Sequence, residues 1–238
     1  MKAHAFHVCI LLLCGLASLG CQEFPGRPHS GTEAVSPEEI KDFSRLYAHN
    51  CSACHGTDGQ HGPAIALGNP EYQAIVDEGT LRDVIANGEP GTLMPPFAKS
   101  AGGMLTDEQV NVLVSGMRSR WYHIDTLQGL DVPPYKSTKV GKVARGWEVF
   151  TSHCASCHTT GTQLQNTKQS SITDGSYLAL MNDQTLRAII IAGLPDQGHP
   201  DWRTAQPGHP LSDQDVTDVV AWMASQQQKT PGQPYSQR

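Results

Sequence analysis

Apolar residues recur at helical spacing three times in each half of the chain. The first stretch opens with Ser36-Pro37-Glu38-Glu39. This is a capping serine, a proline at the first helical position and a glutamate three residues on. Ile40, Phe43, Leu46 and Tyr47 then fall on one face, which predicts a helix. Val143, Trp147 and Phe150 mark its counterpart in the second half. A middle helix is predicted near Thr80–Asn87 and again near Asp183–Ala192, each stopped by a glycine. A last helix starts after Thr106 and after Ser212, each with a capping-box pattern. Its apolar face carries Val110, Leu113, Val114 and Met117 in one half, and Val216, Val219, Val220 and Met223 in the other. With 23 glycines and 16 prolines, turn-rich loops are expected between short helices, so the predicted fold class is all-α.

The two halves are copies of one unit. Residues 72–97 align with 177–202 at an offset of 105 without a gap, with nine identities in 26 positions. Among them are Thr80-Leu81-Arg82 with Thr185-Leu186-Arg187, Gly88 with Gly193, and Pro95 with Pro200. The predicted organisation is a signal peptide over 1–20, a Pro/Gly-rich tether over 21–35, a first domain over 36–123, a linker over 124–139, a second domain over 140–228 and a polar tail over 229–238. At 238 residues the chain has room for two domains of this size.

Each unit carries one Cys-x-x-Cys-His motif: Cys51-Ser52-Ala53-Cys54-His55 and Cys154-Ala155-Ser156-Cys157-His158. The spacing lets two thiols add to the two vinyl groups of a haem while the next imidazole reaches the iron. A redox-active cysteine pair belongs with a βαβ pattern, which the sequence lacks. A zinc site could use both pairs but has no need of a histidine directly after the second cysteine. Two covalent haem c groups are therefore the expected cofactors. A formal charge of -6 at pH 7 argues against nucleic acid as a partner.

Around these motifs the chain resembles the class I cytochrome c family, in which a helix, the Cys-x-x-Cys-His motif, a Gly/Pro loop, a middle helix, a Met-Pro loop and a closing helix follow in order. Leu93-Met94-Pro95-Pro96-Phe97 matches the Met-Pro loop, so the resemblance implies Met94 as the sixth iron ligand of the first haem. Met104 follows two glycines and has no such context. Gly62-Pro63-Ala64 resembles the family's turn below the proximal histidine, which implies that the Pro63 carbonyl accepts from the His55 ring. The second unit departs from the pattern: the ungapped repeat sets His199 opposite Met94. Gly198-His199-Pro200-Asp201-Trp202 looks like the family's Gly-Met-Pro-Asp-Trp stretch with histidine replacing methionine, and the second haem is expected to be ligated by His158 and His199. Met181 and His209 are the rival ligands, and a vacant sixth site is the third alternative. Arg82 and Arg187 stand at equal repeat positions, where propionate pairing and plain surface exposure are both open.

An apolar run from Val8 to Leu19, preceded by Lys2, is too short to span a bilayer as a mature helix and fits the core of a signal peptide. It ends in Ser18-Leu19-Gly20-Cys21, which resembles a bacterial lipobox, with Ser18 where lipoproteins usually carry leucine. Of seven cysteines, Cys9 and Cys14 leave with the signal, four belong to the motifs, and Cys21 remains. Lipidation at Cys21 would explain that odd thiol and anchor the protein to a membrane. Gln22 after it implies the outer membrane where one exists. The expected function is single-electron transfer between exported or membrane-bound redox proteins, a donor and an acceptor, with no small-molecule substrate and no catalysis. A dihaem peroxidase-like enzyme and a fixed cytochrome subunit of a respiratory or dehydrogenase complex are the competing readings.

Overall fold

The computed structural model describes residues 35–158 and 172–228. The chain divides at Glu39/Ile40 into two units. In the first, the described residues form a single 3-10 turn, Pro37–Glu39, in which the Ser36 N–H donates to Glu39 Oε2 at 3.3 Å.

The second unit is helical, and among the described residues the only β pairing is two isolated bridges. Its helices are α1 (Phe43–Asn50), α2 (Ser52–His55), α3 (Pro70–Ile75), α4 (Glu78–Asn87), α5 (Asp107–Trp121), α6 (Val143–His153), α7 (Gly175–Leu178), α8 (Asp183–Ala192) and α9 (Asp213–Ser225). The expected first helix does not run on from Pro37. It begins afresh at Phe43, because Asp42 caps it by accepting from the Arg45 N–H at 2.8 Å. The residue skipped, Ile40, gives its carbonyl to Gln109 Nε2 at 3.0 Å. Helices α5 and α9 start as the pattern predicts, with reciprocal capping boxes at Thr106/Gln109 and Ser212/Asp215.

Two apolar cores result. In the first lobe α1 packs on α5, and Phe43, Leu46, Tyr47, Val110, Leu113 and Met117 are buried together. The Tyr47 and Trp121 rings meet edge to face at 5.4 Å. In the second lobe α6 packs on α9 in the same way, and the Phe150 and Trp222 ring centroids lie 4.4 Å apart. Aromatic pairs of this kind add about 0.5–1.5 kcal/mol beyond their buried area. Helix α8 serves both cores: Leu186 and Ile191 belong to the second, Ala188 and Ala192 to the first.

The segment read as a linker is packed. Tyr135 lies against the first core and meets the Tyr72 ring at 6.4 Å, while Leu127 and Val132 lie against the second. The side chain of Arg187, only 5% exposed, binds the Pro134 and Tyr135 carbonyls, Thr217 Oγ1 and Asp213.

Candidate functional site

Helix α1 ends at Asn50, and Cys51 caps it by donating its N–H to the Tyr47 carbonyl. One further turn, α2, then runs to His55, whose N–H donates to the Cys51 carbonyl at 3.0 Å. Cys51 and His55 are buried, while Cys54 between them is exposed. The second motif repeats this geometry: Cys154 caps α6, and the His158 N–H donates to the Cys154 carbonyl at 2.8 Å. None of the four cysteines is in a disulfide. Before haem attachment, burial, reinforced by the neighbouring cysteine of each motif, pushes the Cys51 thiol up to about 12 and the Cys154 thiol to about 11.

The His55 ring is held by a backbone acceptor, but not the expected one. Its Nδ1 lies 2.8 Å from the carbonyl of Ile65, two residues beyond Pro63. The loop closes when the Ala64 N–H donates to the Cys54 carbonyl at 2.9 Å, and the Ile65 carbonyl, not the Pro63 one, is the acceptor at the imidazole. Burial pushes the His55 imidazole down, partly opposed by this hydrogen bond, so it is held neutral. The corresponding loop after His158 lies outside the described residues.

After the middle helices the two halves fold alike. Gly88 and Gly193 sit at φ 73° and 72°. A Cβ on Gly88 would stand 2.8 Å from the Met94 carbonyl oxygen, and one on Gly193 would stand 2.9 Å from that of His199. The Glu89 N–H donates to the Met94 carbonyl at 3.1 Å, and the Leu194 N–H donates to the His199 carbonyl at 3.1 Å. The register continues: the Leu105 N–H donates to the Phe97 carbonyl at 2.8 Å and the Leu211 N–H to the Trp202 carbonyl at 2.9 Å.

In the second lobe the fold brings the sequence-predicted histidines together. The His158 and His199 ring centroids are 6.0 Å apart, with the ring planes 38° apart. Burial, followed by the facing His158 ring, pushes His199 down. In the first lobe Met94 is half-buried, and its N–H donates to Thr92 Oγ1 at 3.1 Å. The rival ligands stand elsewhere: Met104 is 78% exposed, Met181 packs on the second core, and His209 is exposed in its turn. Arg82 pairs with Asp107 and Arg187 with Asp213, so both repeat arginines tie the middle helix to the first residue of the closing helix. Cys21, with the signal, the tail and most of the tether, lies outside the described residues. Among the described residues no helix is long and apolar enough to cross a membrane.

These residues fit a haem. Two imidazoles bound trans to one metal at about 2 Å each, with ring centres roughly 1 Å further back, place their centroids about 6 Å apart. The pair His158/His199 has that spacing. Among the described residues no group of three or more His, Cys, Asp or Glu side chains converges.

Sequence reasoning missed Ile65, Asn69 and Asn182. Asn69 was visible as a helix start, an asparagine directly before a proline, and it caps α3. What its amide does across the molecule was not visible.

Comparison with known proteins agrees with the two-lobed reading. Residues 38–115 match the family described as cytochrome c oxidase, cbb3-type, subunit III, and residues 143–227 match the cytochrome c family. The chain is similar to the cbb3-type cytochrome c oxidase subunit CcoP of Azospirillum sp. (strain B510), at 29% identity over 127 residues, covering 46% of this chain and 36% of that relative. The chain thus matches little more than a third of that relative's length. A chain of the reducing HAO-like protein complex of Kuenenia stuttgartiensis superposes with a TM-score of 0.44 at 17% identity, covering 79% of this chain and 99% of that one. Each half of the chain thus carries a cytochrome c-type domain, and two such domains in tandem imply two covalently bound haem c groups.

Proposed function

We propose that the two lobes, 36–123 and 140–228, hold their haems by different axial pairs. Cys51 and Cys54 tether the first, with His55 and Met94 as ligands. Cys154 and Cys157 tether the second, with His158 and His199. The observation that carries this reading is the 6.0 Å separation of the His158 and His199 rings, at a position where the repeat partner of His199 is Met94. Bound haem iron supplies a one-electron ferric/ferrous couple. The chain's own residues set its ease of reduction. The Ile65 carbonyl orients the His55 ring and raises its basicity. Burial keeps His55 and His199 in the neutral form that a metal requires. The Met94 thioether favours the ferrous state, whereas a second imidazole favours the ferric. With both axial positions filled in each lobe, the protein passes electrons and has no substrate of its own. Low-temperature EPR with near-infrared spectroscopy on the purified holoprotein tests this. One His/Met and one His/His low-spin centre are expected; a high-spin or second His/Met centre in the second lobe overturns the assignment of His199.

The chain is exported through a signal peptide over 1–20 and anchored by lipid on Cys21, facing the periplasm, at the outer membrane where there is one. The support is the apolar run of Val8–Leu19, the lipobox-like Ser18-Leu19-Gly20-Cys21 and the odd cysteine count. Its donor and acceptor are redox proteins. Likeness to an oxidase subunit by name supports a respiratory setting. Fractionation of the native host tests the anchor: the protein should sediment with membranes, and Cys21→Ser should release it.

A further inference from the structure

One helix of the second lobe grips two loops of the first: the turn that bears Met94 and the loop that holds the His55 ring. At the start of α8, Asn182 donates its Nδ2 to Glu89 Oε1 at 2.5 Å and to the Pro90 carbonyl at 2.9 Å. Glu89 and Pro90 open the turn that ends at Met94, and the Glu89 N–H donates to the Met94 carbonyl at 3.1 Å. At the other end of α8, the Ala192 and Gly193 carbonyls accept from Asn69 Nδ2 at 2.9 Å and 3.2 Å. The last carbonyls of a helix have no partner within it, so here the first lobe supplies one. The Asn69 N–H donates to the Ala66 carbonyl at 3.2 Å, next to Ile65, whose own carbonyl meets the His55 ring.

Toward its Asn69 end the contact is buried. Ala188 and Ala192 of α8 are 1% and 3% exposed within the first core. Asn69 is 1% exposed and every polar atom of its side chain is used, since its Oδ1 accepts from the Glu71 and Tyr72 N–H groups. Ten helical residues rise about 15 Å, far enough to reach from one loop to the other. Directly after Gly193 the chain enters the turn that holds His199, closed by the two Leu194/His199 backbone hydrogen bonds at 3.0 Å and 3.1 Å. That turn also rests on the first lobe: the His61 N–H donates to Asp196 Oδ2 at 2.8 Å, and Arg203 pairs with Glu71 at 3.1 Å.

We propose that α8 is a positioning strut between the two haem sites. Asn182 and Asn69 lock its ends onto the turn that carries Met94 and the loop whose Ile65 carbonyl orients His55, and its extension presents His199, so the axial geometry of each haem depends on the other lobe. This rests on the ligand assignment proposed above. It makes Asn69 and Asn182 positioning residues that touch neither iron.

Asn182→Ser and Asn69→Ser test it crosswise, each read at the haem of the opposite lobe. Serine keeps the helix cap that both asparagines also provide, but is too short to keep the links across the lobes. In Asn182→Ser, a second-lobe substitution, imidazole should enter the ferric first haem roughly two- to tenfold faster, as expected for losing a hydrogen bond or two from the Met94 turn. The EPR signal of the second haem should stay in place. In Asn69→Ser, a first-lobe substitution, the His/His signal of the second haem should shift or broaden. Gln184→Ala, which removes a 2.7 Å bond to the Tyr135 carbonyl and none to the Met94 or His199 turns, is the control and should leave both signals unchanged. The strut is refuted if the wild type has the His/Met and His/His pair and both asparagine variants match it, or if the control moves the signals as much. A wild type lacking that pair refutes the ligand assignment instead. If Asn69→Ser does not load haem, the imidazole rate of Asn182→Ser still decides.

Discussion

The carbonyls of Met94 and His199 each accept a backbone N–H at 3.1 Å from the residue five positions earlier, Glu89 in one lobe and Leu194 in the other. The duplicated turn is thus conserved in backbone while its side chain has changed from a thioether to an imidazole. That exchange is the basis for expecting two unlike redox centres on one scaffold.

A potentiometric titration of the holoprotein should resolve two midpoints, with the first haem above the second. His199→Met should raise the lower midpoint toward the upper one, because thioether favours ferrous iron. Equal midpoints in the wild type, or no rise in the variant, would count against the ligand assignment.

The two methionines near the first haem should behave oppositely. Met94→Ala should abolish the thioether–iron charge-transfer band in the red and lower the midpoint of that haem. Met104 is 78% exposed, so Met104→Ala should leave the band intact and change stability by no more than about 0.5 kcal/mol.

Arg187 should be a structural residue of the second lobe and not a haem contact. Its guanidinium is buried against two carbonyls and the Asp213 carboxylate. Arg187→Met should lower second-lobe stability by about 3 kcal/mol or more, since it leaves those acceptors unpaired. The loss would appear as a lower midpoint in denaturant unfolding followed by tryptophan fluorescence.

The same pair predicts an acid-side dependence. Burial pushes the Asp213 carboxyl up, but hydrogen bonds from Arg187, Lys139 and Ser137, with the Arg187 charge, outweigh it and hold the group below its ordinary value. A carboxyl depressed in the folded state contributes fully above the unfolded value of about 4 and loses that contribution as pH falls through the lower folded value. Wild-type stability should therefore fall as pH drops below about 4. Asp213→Asn should be less stable at neutral pH and show a flatter acid limb in pH-resolved unfolding.

Each lobe is small for a self-sufficient core. Cys154→Ala/Cys157→Ala, which removes both tethers of the second haem, should leave that lobe without cooperative unfolding and, with α8 no longer held, loosen the Met94 ligation of the first haem. A sharp two-lobe transition in this variant would mean that the protein core alone is enough.

Much of this protein was legible in one dimension because its signals are local. The capping boxes at Thr106 and Ser212, the glycine stops at Gly88 and Gly193, and the buried faces of α5 and α9 depend on residues three or four apart. The ungapped offset of 105 put Met94 opposite His199, and the folded backbone keeps that register. Where competition was local but close, the pattern misled: Ser36-Pro37 looked like the first helix start, yet Asp42 provides the cap on α1.

The chain order alone specified two helical copies, each with one Cys-x-x-Cys-His site, because duplication and motif spacing are properties of sequence. Only the folded molecule decided that Ile65 rather than Pro63 meets the His55 ring, that the His158 and His199 rings stand 6.0 Å apart, and that α8 belongs to both cores. Those are contacts between segments distant in sequence or across a closed loop. They are set by which surfaces can be buried together with their hydrogen bonds made, and no local pattern encodes that.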